Sequence, residues 1–408
     1  MNILAVAIPH SDRHTGDCSK MSFPLGLAYI IGSIRKRVQE ARITVSDLPI
    51  RKVYSRQEIE AELVRISADF HPDFVIYGGM ITRLGFIKTL NEAARKVFPD
   101  AKLVLGGTAV ESGHRFFLTD NVVDYLVSGE GEEAIIDILT GKAPQASGLS
   151  GGGRECALVE HAVGDIDSLP MPSYEDFQVG DYVKNNARFT GWKYMPMIAG
   201  RGCPFKCSFC YPFFGNVTRY RAEDLVIEEM EHLRDGYGID AVYFWDDIQF
   251  LDKAWMERFC KKLIARKTGL KWSCSTRGSL LHKNDIPLLR LANRAGCLRI
   301  AVGIESGNQQ ILDRMNKKTS VRQTESAIKT IRDAGIKASG SMLIGYPGES
   351  PETIRDSVGF ANRNLLKTSF YCLIPLPLTE IYKYCVEKGI IRDESAYLKR
   401  VSDSGGDA

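Results

Sequence analysis

Apolar and polar positions along the chain fall into two long series of short strand-like runs separated by helix-like stretches. Residues 3–8 form an apolar strand pattern, residues 25–38 an amphipathic helix, residues 42–47 a strand and residues 58–67 a helix. The apolar run 74–77 ends in Gly78-Gly79 and is followed by a helical pattern over 86–97. The run 103–105 ends in Gly106-Gly107, and the run 122–127 in Ser128-Gly129-Glu130-Gly131-Glu132. This alternation predicts an α/β architecture, an open parallel sheet with helices on both faces, as a Rossmann-like domain over residues 1–142. Such sheets bind ligands beyond the carboxyl ends of their strands, where this chain puts its glycines. Each glycine pair also reads as a tight turn leaving a strand; three on one rim point toward a ligand.

Residues 143–153 are rich in Gly and Ser, and Leu169-Pro170-Met171-Pro172 is a stiffer crossing, so 143–190 is expected to be a linker. The alternation resumes with strands at 194–199, 241–245, 271–275, 298–303, 338–344 and 370–374. About six strand–helix units are fewer than the eight that close a barrel. Residues 191–380 therefore predict a partial (β/α)6 TIM-like barrel, open on one side, with a short C-terminal helix and tail over 381–408.

Composition narrows the picture little. A chain of 408 residues, 44% hydrophobic and 25% charged, is ordinary for a soluble globular protein of more than one domain. A net charge of +3 gives no argument for a nucleic-acid partner, and pairs such as Lys261-Lys262 and Lys317-Lys318 read as solvated helix faces. The apolar N-terminal run lacks a basic flank or cleavage site, and no stretch is long enough to cross a bilayer, so no membrane partner is expected. Ten cysteines are too sparse for a secreted disulfide scaffold, which makes a reducing cytoplasm the expected location.

Cys203, Cys207 and Cys210 stand in Arg-Gly-Cys-Pro-Phe-Lys-Cys-Ser-Phe-Cys-Tyr. Three thiolates at this spacing can hold three corners of a cubic iron–sulfur cluster and leave the fourth iron open to a substrate or cosubstrate. The alternative is a structural zinc site, which needs a distant fourth ligand, because the nearest downstream His and Cys are His232 and Cys260. A non-catalytic, zinc-stabilised binding protein is the corresponding reading of the whole chain.

On this triplet the chain resembles a radical S-adenosylmethionine (SAM) protein, and over about residues 1–390 it resembles the class with an N-terminal cobalamin-binding domain. The resemblance implies a 4Fe–4S cluster on the three cysteines, with SAM chelated by the open iron and cleaved to a 5′-deoxyadenosyl radical. Further segments carry it. Phe209 matches an aromatic near the adenine. Asp246 or Asp247 matches the segment that receives the SAM amino group; helix capping by Asp247 or Asp252 is the other reading. Ser275 and Arg277 resemble the pair that steadies the carboxylate, and Glu305 the acceptor of the ribose hydroxyls, with a salt bridge as its alternative. Gly345, in Gly-Tyr-Pro-Gly-Glu, resembles the turn that contacts adenine.

Phe23–Leu27, Gly78–Thr82, Gly106–Ala109 and Ser128–Glu132 resemble the cobalamin-binding half. Met80, Thr82, Gly107, Thr108, Gly129, Glu130 and Gly131 are the implied contacts. His14, in Asp12-Arg13-His14-Thr15-Gly16, is either a lower cobalt ligand or a solvated loop histidine. Leu378 stands where the family usually has glycine, and Cys372 reads as a small core residue, or else a hydrogen donor or ligand facing the cavity. The implied activity is methylation of an unactivated carbon of a small-molecule substrate through methylcobalamin, with a flavodoxin- or ferredoxin-type electron donor. A radical dehydratase or oxidoreductase acting on a polyol or amino sugar, with a cobalamin-free N-terminal relic, is the second reading.

Overall fold

The computed structural model describes residues 1–9, 22–118, 122–143, 156–211, 213–364 and 366–403. The chain divides into two compact units: Met1–Phe189 with Leu376–Leu378 and Tyr384–Ala408, and Thr190–Pro375 with Thr379–Lys383.

The first unit is built on six parallel strands: β1 (Asn2–Ala7), β2 (Arg42–Asp47), β3 (Phe74–Gly78), β4 (Lys102–Gly106), β5 (Tyr125–Gly129) and β6 (Ala157–His161), in spatial order β2-β1-β3-β4-β5-β6. Ile3, Leu4, Ala5 and Val6 are fully buried, as expected of a strand covered on both faces. β5 begins at Tyr125, later than the apolar run at 122. Just before it the buried Asp124 carboxylate accepts the Leu103 N–H at 2.8 Å and pairs with Arg95, tying the entry to β4.

The stretch expected to be a linker carries β6 and the helix Val179–Thr190. Cys156, Ala157 and Val159 are buried. Their short apolar run was masked by the neighbouring Gly/Ser composition. Phe23 packs against the rings of Tyr174, Phe177 and Tyr182, so the proline-marked crossing closes this core. The C-terminal segment likewise does more than trail. Leu398, in the helix Glu394–Asp403, is fully buried in the core of the first unit, and Ser402 Oγ accepts the Gly85 N–H at 2.6 Å.

The second unit holds β7 (Tyr194–Met197), a two-stranded antiparallel ribbon of β8 (Gly200–Arg201) and β9 (Arg219–Tyr220), β10 (Ala241–Phe244), β11 (Lys271–Arg277), β12 (Cys297–Glu305), β13 (Lys337–Ile344) and β14 (Lys367–Cys372). Its main sheet is parallel, in the order β14-β13-β12-β11-β10-β7, a half-barrel. Trp272 meets Phe244 and Phe259 edge to face, which fixes the face of the sheet that packs on helices.

β14 starts three residues earlier than its apolar run suggests and ends where Pro375 and Pro377 can no longer donate to a ladder. Cys372 is exposed rather than a core residue. In register with Ile344, it lies on the same side of the sheet as the buried Met342, the helix-packed face and not the barrel interior.

Because Leu398 fills the core of the first unit, Leu398→Ala should cost about 2–5 kcal/mol. Denaturant unfolding of the full chain, read by a probe in the first unit, checks this.

Candidate active site

The cysteines occupy the loop between β8 and β9. Gly202 opens that loop at φ 90°, and a Cβ there would lie 2.2 Å from the Val217 carbonyl oxygen. The Cys203 N–H donates to Gly215 O at 3.1 Å and the Cys210 N–H to Cys207 O at 3.0 Å. The loop is also fastened from outside. The Ser208 N–H donates to Met315 O at 3.0 Å, Asn316 Nδ2 to Lys206 O at 2.6 Å, and the Ser208 and Tyr346 hydroxyls stand 2.7 Å apart.

Two adjacent carboxylates after β10 divide the work that the sequence left ambiguous. Asp246 is buried and accepts the Ala199 N–H at 2.8 Å and an amide hydrogen of Gln249. Burial pushes its carboxyl up to about 7, against backbone hydrogen bonds that lower it. Asp247 accepts the Gly202 N–H at 2.9 Å, one residue from Cys203, and burial of its carboxyl also raises it although the residue as a whole is open to solvent. Capping belongs to neither, since Asp252 accepts the Trp255 N–H at 2.9 Å.

Arg277 ends β11 facing the cysteine loop. Its Nη1 donates to Cys207 Sγ at 3.2 Å, its guanidinium lies 4.0 Å from the Phe205 ring centroid, and Nε lies 3.2 Å from both Ser279 and Thr319 hydroxyls. Its Nη2 is buried with no partner among the described residues. Ser275, two residues earlier, shares a 3.2 Å hydrogen bond with the Tyr243 hydroxyl. Crowding around its sulfur, then the neighbouring thiols, push the Cys210 thiol up to about 12, and burial raises Cys203 as well. Desolvated thiols beside a guanidinium suit a soft metal centre, because coordination removes the proton that burial retains. Among the described residues, no group of three or more His, Cys, Asp or Glu side chains is gathered tightly enough to hold a single metal ion.

Glu305 ends β12 at φ 64°, just past a register shift against β13 between Gly303 and Glu305. The bulge re-aims its side chain toward Lys317, whose Nζ lies 2.7 Å from Glu305 Oε1 and 5.8 Å from the half-buried Phe209 ring. Lys317 is thus a buried, paired residue and not part of a solvated face. Left-handed residues Asn316 (φ 51°) and Lys318 (φ 50°) turn it inward, which the Lys-Lys dipeptide does not reveal. Gly345 opens a turn at φ 94° where the Glu349 carboxylate accepts the Gly345 N–H at 2.5 Å. Phe205, Lys317 and Thr319 contact Arg277 or Glu305 without having been singled out for the site from sequence, and Tyr346, within the Gly345 turn, reaches the cysteine loop. Leu378 adopts φ 71°, a conformation that favours glycine and costs a branched side chain about 1–2 kcal/mol.

In the first unit, Gly78 and Gly106 sit side by side in register at the ends of β3 and β4, presenting backbone without Cβ atoms to the rim. Met80 is 41% exposed, and Thr82 and Thr108 are half-buried on the same rim. Such a flat, backbone-lined edge fits a macrocycle. Gly107 (φ 85°) and Gly129 (φ 80°) are also demanded by the chain's own packing, since Cβ atoms there would lie 2.7 Å from Gly79 O and 2.2 Å from His161 O. At Gly131 a Cβ would meet Ile30 Cδ1 at 2.8 Å, and the buried Glu130 carboxylate accepts the Val163 N–H at 2.6 Å. Asp12, His14 and Gly16 lie outside the described residues.

Residues 197–361 match the family described as the radical SAM superfamily, and residues 20–139 match the B12 binding domain. An uncharacterized methyltransferase of Pyrococcus horikoshii is 25% identical over 404 residues, covering 96% of this chain and 84% of that one. An anaerobic magnesium-protoporphyrin IX monomethyl ester cyclase of Cereibacter sphaeroides is 26% identical over 415 residues, covering 97% and 66%. The solved structure of the radical SAM methyltransferase TsrM from Kitasatospora setae, with cobalamin and a [4Fe–4S] cluster bound, superposes with a TM-score of 0.75 at 19% identity, covering 95% of this chain and 78% of that one.

Lys317→Met leaves the mostly buried Glu305 without its cation and should cost about 2–4 kcal/mol, whereas adding Glu305→Met should restore most of the loss. A double-mutant cycle in urea reads both. Asp246 has a folded pKa above its ordinary 3.8, so folding takes up a proton, and stability falls as pH rises from 3.8 toward about 7. Asp246→Asn should flatten that slope in pH-dependent thermal melts.

Proposed function

Because the chain belongs to the radical SAM enzymes that carry an N-terminal cobalamin-binding domain, we propose that it methylates a carbon of a small-molecule substrate. The observation that carries this reading is one chain holding both a thiol loop faced by an arginine and a glycine-lined parallel-sheet rim of the B12-binding kind. Cys203, Cys207 and Cys210 would hold the 4Fe–4S cluster, and the rim around Gly78, Met80, Thr82, Gly106 and Thr108 the cobalamin. When bound, the cluster supplies an electron to the SAM sulfonium and the corrin supplies a carrier for the methyl group.

The remaining roles fall to the chain's own side chains. Asp247, already fixed by the Gly202 N–H, has a second carboxylate oxygen for the SAM ammonium, while Asp246 acts as a structural tie. Arg277 offers its unpartnered Nη2 to the SAM carboxylate, and Ser275 stands on the same strand. Glu305, held by Lys317 through one oxygen, keeps the other for the ribose hydroxyls, and Phe209 and the Gly345 turn flank the adenine. A flavodoxin or ferredoxin would deliver the electron. The cyclase relative aligns over as much of the chain as the methyltransferase does and marks the competing, non-methylating outcome.

Anaerobically reconstituted protein should carry iron, sulfide and stoichiometric corrin. With reductant it should convert SAM to 5′-deoxyadenosine and S-adenosylhomocysteine. Zinc in place of iron, or a chain that takes up no corrin, would overturn the assignment, and 5′-deoxyadenosine without S-adenosylhomocysteine would select the non-methylating reading. Asp247→Asn should weaken SAM binding roughly tenfold while leaving cluster content unchanged, as measured by equilibrium dialysis.

A further inference from the structure

The barrel-facing side of the second sheet carries its own pattern of small, polar and charged residues. Its identity follows from register. Trp272, Cys274, Ile300 and Val302 are buried on the helix-packed face, so the residues between them point to the interior. There, Ser273, Ser275, Ser339, Ser341 and Ser369 occupy successive positions on β11, β13 and β14, and Ala301 and Gly303 lie between them on β12. Closed barrels fill this space with Val, Ile and Leu. Here serines line it around Ala301 and Gly303, beside Tyr243, Leu343 and Tyr371, and the residues along it are partly open to solvent.

Charge on this face is one-sided. Arg299, Lys337 and Lys367 lie at its amino-terminal end, with Arg299 and Lys337 direct register partners and Lys367 opposite Ser339. Like charges so placed repel. None of the three makes an ion pair among the described residues. The one carboxylate on this face of β10 to β14 is Glu305, and Lys317 takes it. Arg299 is nonetheless held in position. Its guanidinium lies 5.7 Å from the Tyr243 ring centroid, and the Tyr243 hydroxyl is 3.2 Å from Ser275 Oγ. A positioned arginine, with Lys337 beside it and Lys367 one strand further on, thus faces a hydroxyl-lined interior with a surplus of positive charge.

Resting on the radical-enzyme reading above, we propose that the substrate is a small hydroxylated molecule bearing a phosphate or carboxylate group. Arg299 binds the anion in bidentate fashion, with Lys337 and Lys367 adding charge. The serine hydroxyls take up the polar body. The reacting carbon then lies toward the carboxyl-end rim where Arg277 meets Cys207. From Arg299 to Gly303 the strand advances about 13 Å, which sets the length of substrate that spans from anion to rim.

The test is a binding measurement that needs neither reductant nor turnover, so it is independent of the methylation reading. Ligand-observed NMR on the full chain, anaerobically reconstituted, compares glucose 6-phosphate with glucose, glycerol 3-phosphate with glycerol, AMP with adenosine, and gluconate with sorbitol, each at millimolar concentration. At least one anionic member should bind, its neutral counterpart should not, and inorganic phosphate should compete. Arg299→Met should weaken that binding roughly tenfold or more and Arg299→Lys less, with thermal melts confirming that both variants fold. Equal binding of neutral counterparts, unchanged binding in a folded Arg299→Met variant, or no binding by any anionic member overturns the proposal. Loss of SAM cleavage with anion binding intact would instead count against the radical-enzyme reading alone.

Discussion

The geometry of the thiol loop depends on two neighbouring carboxylates at the end of one strand. Asp246 takes the Ala199 N–H and Asp247 the Gly202 N–H, so the segment leading into Cys203 is clamped at two points to the carboxyl end of β10. Buried backbone donors must find acceptors, and an irregular loop cannot borrow them from a regular sheet. The clamp lets Cys207 meet Arg277 and lets Ser208 reach Met315 and Tyr346. Asp246 sustains it as a desolvated carboxyl, whereas Asp247 remains accessible for chemistry.

The rest of the rim follows the same economy, in which the candidate site residues are also held by the chain. Glu305 accepts a left-handed backbone and a register shift, and Lys317 secures the side chain thus turned. Such conformations persist only where surroundings over-determine them. The first unit shows the converse. Gly107 and Gly129 are glycines because backbone carbonyls approach within 2.7 and 2.2 Å of where a Cβ would stand. A smooth ligand-facing edge there is a by-product of tight loop packing as much as its purpose.

Much of this organisation was legible in the chain. The alternating runs pointed to two parallel sheets, and the close spacing of three cysteines picked out the thiol loop, because both are local patterns. β6 was hidden because its apolar run is five residues or fewer beside a Gly/Ser-rich stretch, and the docking of Leu398 because Tyr397, Leu398 and Val401 make an apolar stripe too short to say what it packs against. Cys372 was read as a small core residue, yet β14 is an edge strand and Cys372 is exposed on it.

By itself, the sequence determined the kind of chemistry, since thiol count, spacing and strand-end glycines are properties of short segments. Tertiary structure decided which of two adjacent aspartates stays open to solvent, that Lys317 turns inward, and that five serines share one face of the half-barrel with Arg299, Lys337 and Lys367. Those assignments depend on register between strands about thirty residues apart, and a bulge of one residue reverses the direction in which a side chain points.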